Sequence, residues 1–316
     1  MIGAGIGGLT AALALMRRGF EVQVLEQARE LGEVGAGVQI SPNGNRVLAH
    51  LGLADAVGRV AAEPAGKRVR LWDTGQTWNL FDLGATSRER YGFPYLTLHR
   101  ADLHQVLADA VRAMRPDAIR TNIRIERVEQ RGDEVVIEAG GQAVATADVV
   151  VGADGVHSQV RQCLIGEDRP EFSGIIAWRG VIDAERLPER LREPYGYNWV
   201  GPGRHVIHYP LRSGTLYNFV GAVEQQGWEV ESWSAQGSVE ECLADFAGWH
   251  EDVHTLIRTL RTPYRWALMG RETLKQWSFG RITLLGDACH PTLPFLAQGA
   301  VMALEDGLVL ARCLEA

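Results

Sequence analysis

A glycine-rich segment at the start of the chain has the residue types and spacing of a phosphate-binding turn. Gly3, Gly5 and Gly8 match the pattern G-x-G-x-x-G, and an apolar helical pattern follows over 9–16. Glycine permits a tight turn and a close approach of the backbone to a phosphate, and the N–H groups at the helix N-terminus favour negative charge. Gly7 lies in the same turn and is included among the predicted contacts. The segment therefore predicts a nucleotide phosphate site.

The strand after this helix ends in an acid. Residues 20–26 alternate between polar and apolar types, and Glu26 at the end of the strand is placed to accept hydrogen bonds from a ribose. The adjoining Gln27 is predicted to contact the same ligand. Turn, helix, strand and acid together predict a dinucleotide site but do not distinguish FAD from NAD. A purely structural glycine turn is the alternative.

Two later motifs also carry acids after apolar strands. Asp154 and Asp287 each follow a strand and a glycine, and Gly299 and Ala300 open a helix shortly after the second acid. Backbone N–H groups at that helix start can stabilise the negative charge of a reduced flavin. The alternatives are a helix-capping role for Asp154 and a turn role for Asp287.

With these three motifs in order, nearly the whole chain resembles the group A flavoprotein aromatic hydroxylases. This class includes the para-hydroxybenzoate, salicylate, 3-hydroxybenzoate and 6-hydroxynicotinate hydroxylases. The resemblance implies that Asp287 holds the flavin ribitol. It implies that Asp154 supports the pyrophosphate region and the approach of the nicotinamide cofactor. Arg100, in the His-Arg-Ala-Asp-Leu motif, is expected to contact FAD.

A later segment carries the candidate catalytic residues. In a strand, His205, Ile207 and Tyr209 share one face, while Val206 and His208 share the other. His205 and Tyr209 match a His and a Tyr that line the pocket in the 3-hydroxybenzoate hydroxylase branch, so both are predicted to be catalytic. A histidine is suited to remove a phenol proton near neutral pH, although an ordinary half-buried strand histidine is the alternative. His208 is predicted to be a structural or surface residue.

Two further residues, Gln39 and Tyr217, are predicted to contact the substrate. Gln39 follows a glycine-rich loop that is expected near the flavin ring, and Tyr217 lies in an aromatic strand-like segment.

The order of elements predicts an α/β fold. We expect a Rossmann-like FAD-binding domain of the GR2 type with an inserted substrate domain that is rich in β-sheet. The FAD-binding domain is predicted to be discontinuous, with segments 1–66, 97–172 and 267–316. The substrate domain is predicted to comprise 67–96 and 173–266.

Composition excludes several other classes. The 316 residues carry a formal charge of −7, which argues against a nucleic-acid surface. The four cysteines are far apart and form no C-x-x-C pair, so they argue against zinc fingers and dithiol flavin reductases. No pair of ligands near Cys289 and His290 argues for a metal, so no metal site is predicted. The apolar stretch 9–16 is too short to span a bilayer and lacks the features of a signal peptide. We therefore expect a reduced, cytoplasmic protein without membrane segments.

The resemblance implies a single-component monooxygenase in the catabolism of aromatic compounds. NADH or NADPH would reduce FAD, the reduced flavin would add O₂ at C4a, and the hydroperoxide would transfer one oxygen to a small aromatic acid such as a hydroxybenzoate. An FAD-dependent epoxidase or oxygenase acting on a larger polyketide or isoprenoid is an alternative, as is a non-catalytic flavin redox protein. A plain NAD-dependent dehydrogenase is disfavoured, because Asp154 and Asp287 would then have no purpose. The substrate, the choice of NADH or NADPH and the oligomeric state stay open, with a homodimer as one possibility.

The two ends of the chain depart from the family pattern. Only Met1 and Ile2 precede the glycines, so most of the expected first strand is absent. The chain stops at Ala316, where family members usually continue with further helices. Such a chain is expected to hold the recognisable site and to be poorly stable, and the sequence leaves its activity open.

Overall fold

The structure is a computed structural model that describes residues 1–32, 36–168, 170–225, 227 and 236–316. Its α-helices are α1 (Ile6–Met16), α2 (Pro42–His50), α3 (Ala54–Val60), α4 (Ala85–Tyr91), α5 (Arg100–Met114), α6 (Gln159–Ile165), α7 (Val239–Asp245), α8 (Glu251–Arg258) and α9 (Gly299–Glu315). Its strands are β1 (Val24–Leu25), β2 (Gly37–Ile40), β3 (Gly66–Leu71), β4 (Thr77–Asp82), β5 (Leu96–His99), β6 (Ile119–Arg120), β7 (Arg127–Arg131), β8 (Glu134–Ala139), β9 (Gln142–Ala147), β10 (Val150–Gly152), β11 (Glu171–Asp183), β12 (Tyr195–Gly201), β13 (Arg204–Leu211), β14 (Leu216–Glu224), β15 (Tyr264–Gly270), β16 (Ser278–Phe279) and β17 (Ile282–Leu284). The mixed α/β class predicted from the sequence is confirmed.

A parallel sheet carries the glycine-rich turn. Ile2 forms parallel bridges to Leu25 and to Gly152, so it lies between β1 and β10 in the position expected for the first strand. β1 also pairs with β6, and β10 with β17, both in parallel. This order brings the carboxyl ends of β10 and β17 to the same edge as the glycine turn, where ligands of open α/β sheets bind.

Two long helices, α1 and α9, pack closely over this sheet. Small residues permit the close approach: a Cβ at Gly307 of α9 would lie 2.8 Å from the backbone nitrogen of Ala11 in α1. Leu9, Leu13 and Leu304 are buried in the same core. Burying the apolar faces of both helices fixes the start of α1 and the start of α9 relative to each other.

A second, seven-stranded sheet has the order β15-β11-β14-β13-β12-β3-β4. One face buries large aromatic side chains such as Trp178, Trp199 and Phe219 against Phe246 and Leu256, which belong to the helical segment 239–258. Because successive residues of a strand point to opposite faces, the alternate residues of β11, β13 and β14 face the other way. That second face forms one wall of the cavity described below.

Some elements differ from the sequence predictions. The strand expected over 20–26 is reduced to β1, because only its last residues pair with β6 and Ile2. β15 was not predicted, and it pairs antiparallel with β11, so the seven-stranded sheet extends to Gly270. The division into two domains remains our proposal. Among the described residues, no helix has the length and apolar character needed to cross a membrane.

Candidate active site

A cavity of about 330 Å³ lies between the glycine-rich edge of the parallel sheet and the second face of the seven-stranded sheet. It brings together many of the residues predicted from the sequence. The predicted residues that line it are Gly5, Gly7, Gln39, Arg100, His205, Tyr209, Asp287, Gly299 and Ala300. The predicted residues placed behind or away from the lining are Gly3, Gly8, Glu26, Gln27, Asp154 and Tyr217.

The glycine turn is shaped by close backbone contacts. Gly3 has a φ of +97°, and a Cβ there would lie 2.5 Å from the carbonyl oxygen of Ala153. A Cβ at Gly8 would overlap the carbonyl oxygen of Gly3. At Gly5, by contrast, no described atom lies within 4 Å of the Cβ position. Gly3 and Gly8 therefore build the turn, and Gly5 leaves open space in front of the α1 N-terminus.

Glu26 closes the other side of this turn. Its carboxylate accepts hydrogen bonds from the backbone N–H groups of Ala4 and Ala28, each at 2.8 Å. The side chain is thus fixed beside the glycine loop, as a ribose-binding acid requires. Gln27 follows it at an exposed position.

Asp154 caps a helix rather than facing the cavity. Its carboxylate accepts hydrogen bonds from the Ser158 hydroxyl at 2.5 Å and from the backbone N–H groups of Gln159 and Val160 at 2.7 and 3.1 Å. Burial raises the pKa of this carboxyl, and these hydrogen bonds oppose the rise. Its neighbours Ala153 and Gly155 line the cavity. The capping alternative therefore describes the contacts of Asp154, which shapes the cavity through its loop.

Asp287 faces the cavity at the end of β17, close to Arg100. Burial raises the pKa of the Asp287 carboxyl, while the positive charges of Arg100 and His290 lower it. Gly286, with a φ of +63°, makes the tight turn that presents this side chain. Asp287 and Arg100, the two residues that the resemblance assigns to the flavin, therefore line the same cavity.

The start of α9 faces the same space. Gly299 and Ala300 form its first turn and line the cavity. The Gln298 side chain donates a hydrogen bond to the Ser41 hydroxyl at 3.1 Å and so ties this turn to α2. The first N–H groups of a helix lack partners within the helix, so this end favours negative charge.

These features fit FAD. The open space at Gly5 admits a phosphate near the N-terminus of α1, and Asp287 offers a carboxylate to polyol hydroxyls. Gly299 and Ala300 present backbone N–H groups on a separate helix. A dinucleotide with a negatively charged ring system uses all three features.

The opposite wall is largely apolar. Ala177, Val220, Ala222 and Ile207 form its floor from three adjacent strands. Arg179 lines the same wall, and its guanidinium carbon lies 3.5 Å from the centre of the Trp266 ring. A flat, apolar floor with a stacked cation beside it suits an aromatic anion.

His205 and Tyr209 lie on this wall with Ile207, as the strand pattern predicted. His205 is half-buried, and its ring meets the edge of Phe295 with a centroid distance of 5.8 Å. Burial lowers the pKa of His205, so the neutral imidazole is favoured. A neutral imidazole facing a ligand cavity can accept a proton.

Tyr209 is buried, and it lines the cavity together with Gln39. A Cβ at Gly37 would lie 2.6 Å from the Tyr209 hydroxyl and 2.7 Å from Asn218 Cγ, so a glycine is needed beside them. The Asn218 side-chain oxygen accepts a hydrogen bond from Gly37 N–H at 2.7 Å. This contact holds the strand that carries Gln39 against the wall that carries Tyr209.

Tyr217 departs from its predicted role. It pairs with Pro210 in the sheet and therefore lies on the face opposite to Tyr209, inside the aromatic core. Its hydroxyl donates to the carbonyl oxygen of Glu193 at 3.4 Å. Tyr217 therefore does not line the cavity that holds the other predicted substrate contact, Gln39. His208 is fully buried and stacks on Tyr197, which fits the structural role predicted for it.

Sequence reasoning missed Phe295, which lines the cavity. It also missed Tyr95 and Asn218, which do not line the cavity but form hydrogen bonds to the lining residues Gln39 and Gly37. Tyr95 lies two residues before Thr97, which pairs with Gln39 in the sheet. Its hydrogen bond to Gln39 depends on the pairing of β2 with β5, which the local sequence around Tyr95 does not reveal. Phe295 belongs to a short 3-10 turn that reaches the cavity from the loop after Asp287.

A buried ion pair supports the Asp287 turn from behind. Asp306 of α9 contacts His290 Nε2 at 2.6 Å and accepts a hydrogen bond from Gly286 N–H at 3.1 Å. The hydrogen bond to Asp306 raises the pKa of His290 to about 10. The turn is therefore attached to α9 through one carboxylate.

Replacing His290 with glutamine is expected to destabilise the protein in a pH-dependent way. The folded-state pKa lies above the ordinary value of 6.5, so the charged pair stabilises the fold fully below pH 6.5 and progressively less as pH rises through about 10. The variant should lose about 3 kcal/mol of unfolding free energy in the acidic range. Denaturant unfolding at several pH values measures this, with the exposed His50→Gln as control. A gap independent of pH would contradict the prediction.

The nucleotide-binding edge of the parallel sheet and the wall that carries His205 border the same cavity, so a bound dinucleotide cofactor would contact a bound organic molecule there. The family model described as "FAD binding domain" matches residues 1–316, and the chain belongs to this family. It is a flavoprotein monooxygenase with FAD as its cofactor, which confirms the resemblance seen in the sequence.

Two curated relatives and one solved structure illustrate this similarity. A 3-amino-4-hydroxybenzoate 2-monooxygenase of Streptomyces platensis is 42% identical over 316 residues, covering 100% of this chain and 79% of the relative. A 3-hydroxybenzoate 6-hydroxylase of Polaromonas naphthalenivorans (strain CJ2) is 41% identical over 314 residues, covering 99% and 78%. The crystal structure of Klebsiella pneumoniae HpxO complexed with FAD and uric acid has a TM-score of 0.87 at 29% identity, covering 99% of this chain and 78% of that one.

Proposed function

We propose that this enzyme uses NADH or NADPH and O₂ to hydroxylate the ring of a small aromatic acid, such as a hydroxybenzoate. The observation that carries the proposal is the cavity itself. On one side it is lined by Arg100, Asp287 and the start of α9, and on the other by His205 and Tyr209. A ring bound on the apolar floor would lie between the cofactor-binding residues and a proton acceptor.

Bound FAD supplies the activated oxygen, and the protein supplies position and proton transfer. Electrophilic attack on a phenol ring is favoured when the phenol loses its proton. His205 is the group suited to accept that proton, because burial favours its neutral form. The apolar residues Val220 and Ala222 would exclude water, which promotes release of the activated oxygen as hydrogen peroxide.

The charge of the cavity supports a small acidic substrate. Arg179 and Arg100 line it, and both cations favour an anionic ligand. The two relatives described above are named for hydroxylated benzoates, which agrees with this chemistry.

A panel of aromatic acids tests the proposal. The FAD-loaded protein is mixed with NADH or NADPH and with 3-hydroxybenzoate, salicylate, 6-hydroxynicotinate or 3-amino-4-hydroxybenzoate. At least one acid should accelerate NAD(P)H oxidation and yield a product that is heavier by one oxygen atom. No stimulation by any of them would contradict the aromatic-acid assignment. Stimulation with peroxide as the only product would contradict hydroxylation of the acids tested.

Two properties of the enzyme in the cell are also proposals. We propose a cytoplasmic location, since the widely spaced cysteines are typical of a reducing compartment. We further propose that the enzyme forms a homodimer, which light scattering of the purified protein would test.

A further inference from the structure

One residue of the glycine turn, Ala4, is held by hydrogen bonds from two directions. Its backbone N–H donates to the Glu26 carboxylate at 2.8 Å, and its carbonyl oxygen lies 2.6 Å from Nε2 of His104. Gly3 and Gly5 flank Ala4, and glycine restricts the backbone less than any other residue. The two side chains therefore help to set the direction of the peptide groups in this turn.

His104 comes from α5, the helix that also supplies Arg100. The two residues are four positions apart, so they lie on the same face of the helix, one turn from each other. Arg100 lines the cavity, whereas His104 is buried. Leu103 and Leu107, its neighbours on α5, belong to the core that also contains the leucines of α1. A test of His104 must therefore separate its hydrogen bond from its packing.

The contact with Ala4 determines which nitrogen of His104 carries a proton. A carbonyl oxygen can only accept, so Nε2 of His104 donates this hydrogen bond. The Ala4–Gly5 peptide is trans, and the C=O and N–H of a trans peptide point to opposite sides. Holding the Ala4 carbonyl toward α5 therefore turns the N–H of Gly5 away from α5. A hydrogen bond to the carbonyl also polarises the peptide and makes its N–H a stronger donor.

The space beside Gly5 is open to a ligand. No described atom lies within 4 Å of the Cβ position of Gly5, and Gly5 lines the cavity. Gly5 is also the N-cap of α1, at the end of the helix where backbone N–H groups lack partners within the helix. A phosphate that approaches this end of α1 would meet the N–H that His104 orients.

We propose that His104 is a positioning residue for FAD, because its Nε2–H holds the Ala4 carbonyl and thereby presents the Gly5 N–H to the pyrophosphate of the cofactor. His104 is not among the residues that line the cavity, so it acts through the backbone of the turn. The inference concerns only the cofactor and holds for any aromatic acid that the enzyme hydroxylates.

Two substitutions of similar length separate the hydrogen bond from packing. His104→Gln keeps an N–H donor at the position of Nε2, and His104→Met fills a similar space without a donor. FAD is titrated into each flavin-free protein, and its dissociation constant is measured through the change in flavin fluorescence. We expect His104→Gln to bind FAD within about threefold of the wild type and His104→Met to bind it roughly tenfold more weakly.

Equal FAD affinities of His104→Gln and His104→Met would overturn the proposal. A lower melting temperature of flavin-free His104→Met, with FAD affinity unchanged, would show that His104 serves only packing and would overturn it as well. Gln105→Met is the matched control, because it introduces methionine at the adjacent, exposed position of α5. This control should bind FAD like the wild type.

Phosphorus NMR of the FAD-loaded proteins gives a readout that packing alone would not move. The pyrophosphate resonances should coincide in the wild type and His104→Gln and should be displaced in His104→Met. The visible spectrum of the flavin should be the same in all three proteins, because the flavin ring is assigned to the start of α9 and not to this turn. Pyrophosphate resonances that coincide in all three proteins would overturn the proposal.

A further variant keeps the test valid if His104→Met does not fold. In His104→Asn the amide nitrogen lies one bond closer to the backbone, so it does not reach the Ala4 carbonyl. This variant should show the same loss of FAD affinity and the same displaced resonances, and wild-type affinity would overturn the proposal. FAD binding is measured without an aromatic acid, so failure of the aromatic-acid panel would leave this inference standing.

Discussion

The His205→Asn variant is expected to form hydroxylated product about 10²- to 10⁴-fold more slowly than the wild type, because it lacks the proton acceptor for the phenol. Asparagine is similar in size and polarity but does not accept a proton near neutral pH. Reduction of bound FAD by NAD(P)H does not require this proton acceptor. The variant should therefore still oxidise NAD(P)H and release peroxide instead of hydroxylated product.

The measurement compares product formed with NAD(P)H consumed, by chromatography and absorbance. A wild-type ratio of product to NAD(P)H in His205→Asn would show that His205 is an ordinary half-buried strand histidine. The pH profile gives an independent check. Because burial lowers the pKa of His205, the wild-type rate should fall only when pH drops through that lowered value. The acidic decline should disappear in His205→Asn and persist in Tyr209→Phe.

Two alanine variants of the glycine turn are expected to fail in different ways. In Gly8→Ala, the new methyl group would overlap the backbone carbonyl of Gly3, and no side chain can move aside to relieve it. Such overpacking costs about 1–3 kcal/mol or more of folding free energy. We expect a lower melting temperature of the flavin-free protein and no flavin in the purified variant.

Gly5→Ala is the matched variant in the same turn. Its methyl group would meet no described atom within 4 Å, so the flavin-free protein should melt at the wild-type temperature. Gly5 lines the cavity, however, and the methyl group would occupy the space through which a phosphate approaches the backbone. FAD affinity should therefore fall roughly 10- to 100-fold.

Calorimetry of the flavin-free proteins and titration with FAD separate the two effects. Equal melting temperatures for Gly8→Ala and Gly5→Ala would contradict the steric argument. Unchanged FAD affinity in Gly5→Ala would contradict the placement of the phosphates at this turn.

The sequence determined the features that depend on neighbouring residues. The spacing of glycines before an apolar helix predicted the turn at the start of α1, because backbone conformation and helix periodicity are local properties. The same holds for His205 and Tyr209, whose common face follows from the two-residue period of a strand. Arg100 and Asp287 could be assigned through short motifs, and the structure brings both to the cavity.

The tertiary structure decided what depends on pairing between distant strands. Tyr217 and Asn218 are adjacent, yet the register of β13 with β14 sets Asn218 opposite Tyr209 and Tyr217 opposite Pro210. A register shift of one residue would exchange their faces, and the sequence carries no local signal for it. Tyr95 likewise reaches Gln39 only because β2 and β5 pair. The types of the candidate catalytic residues were therefore readable along the chain, while the residues that surround them were fixed by long-range packing.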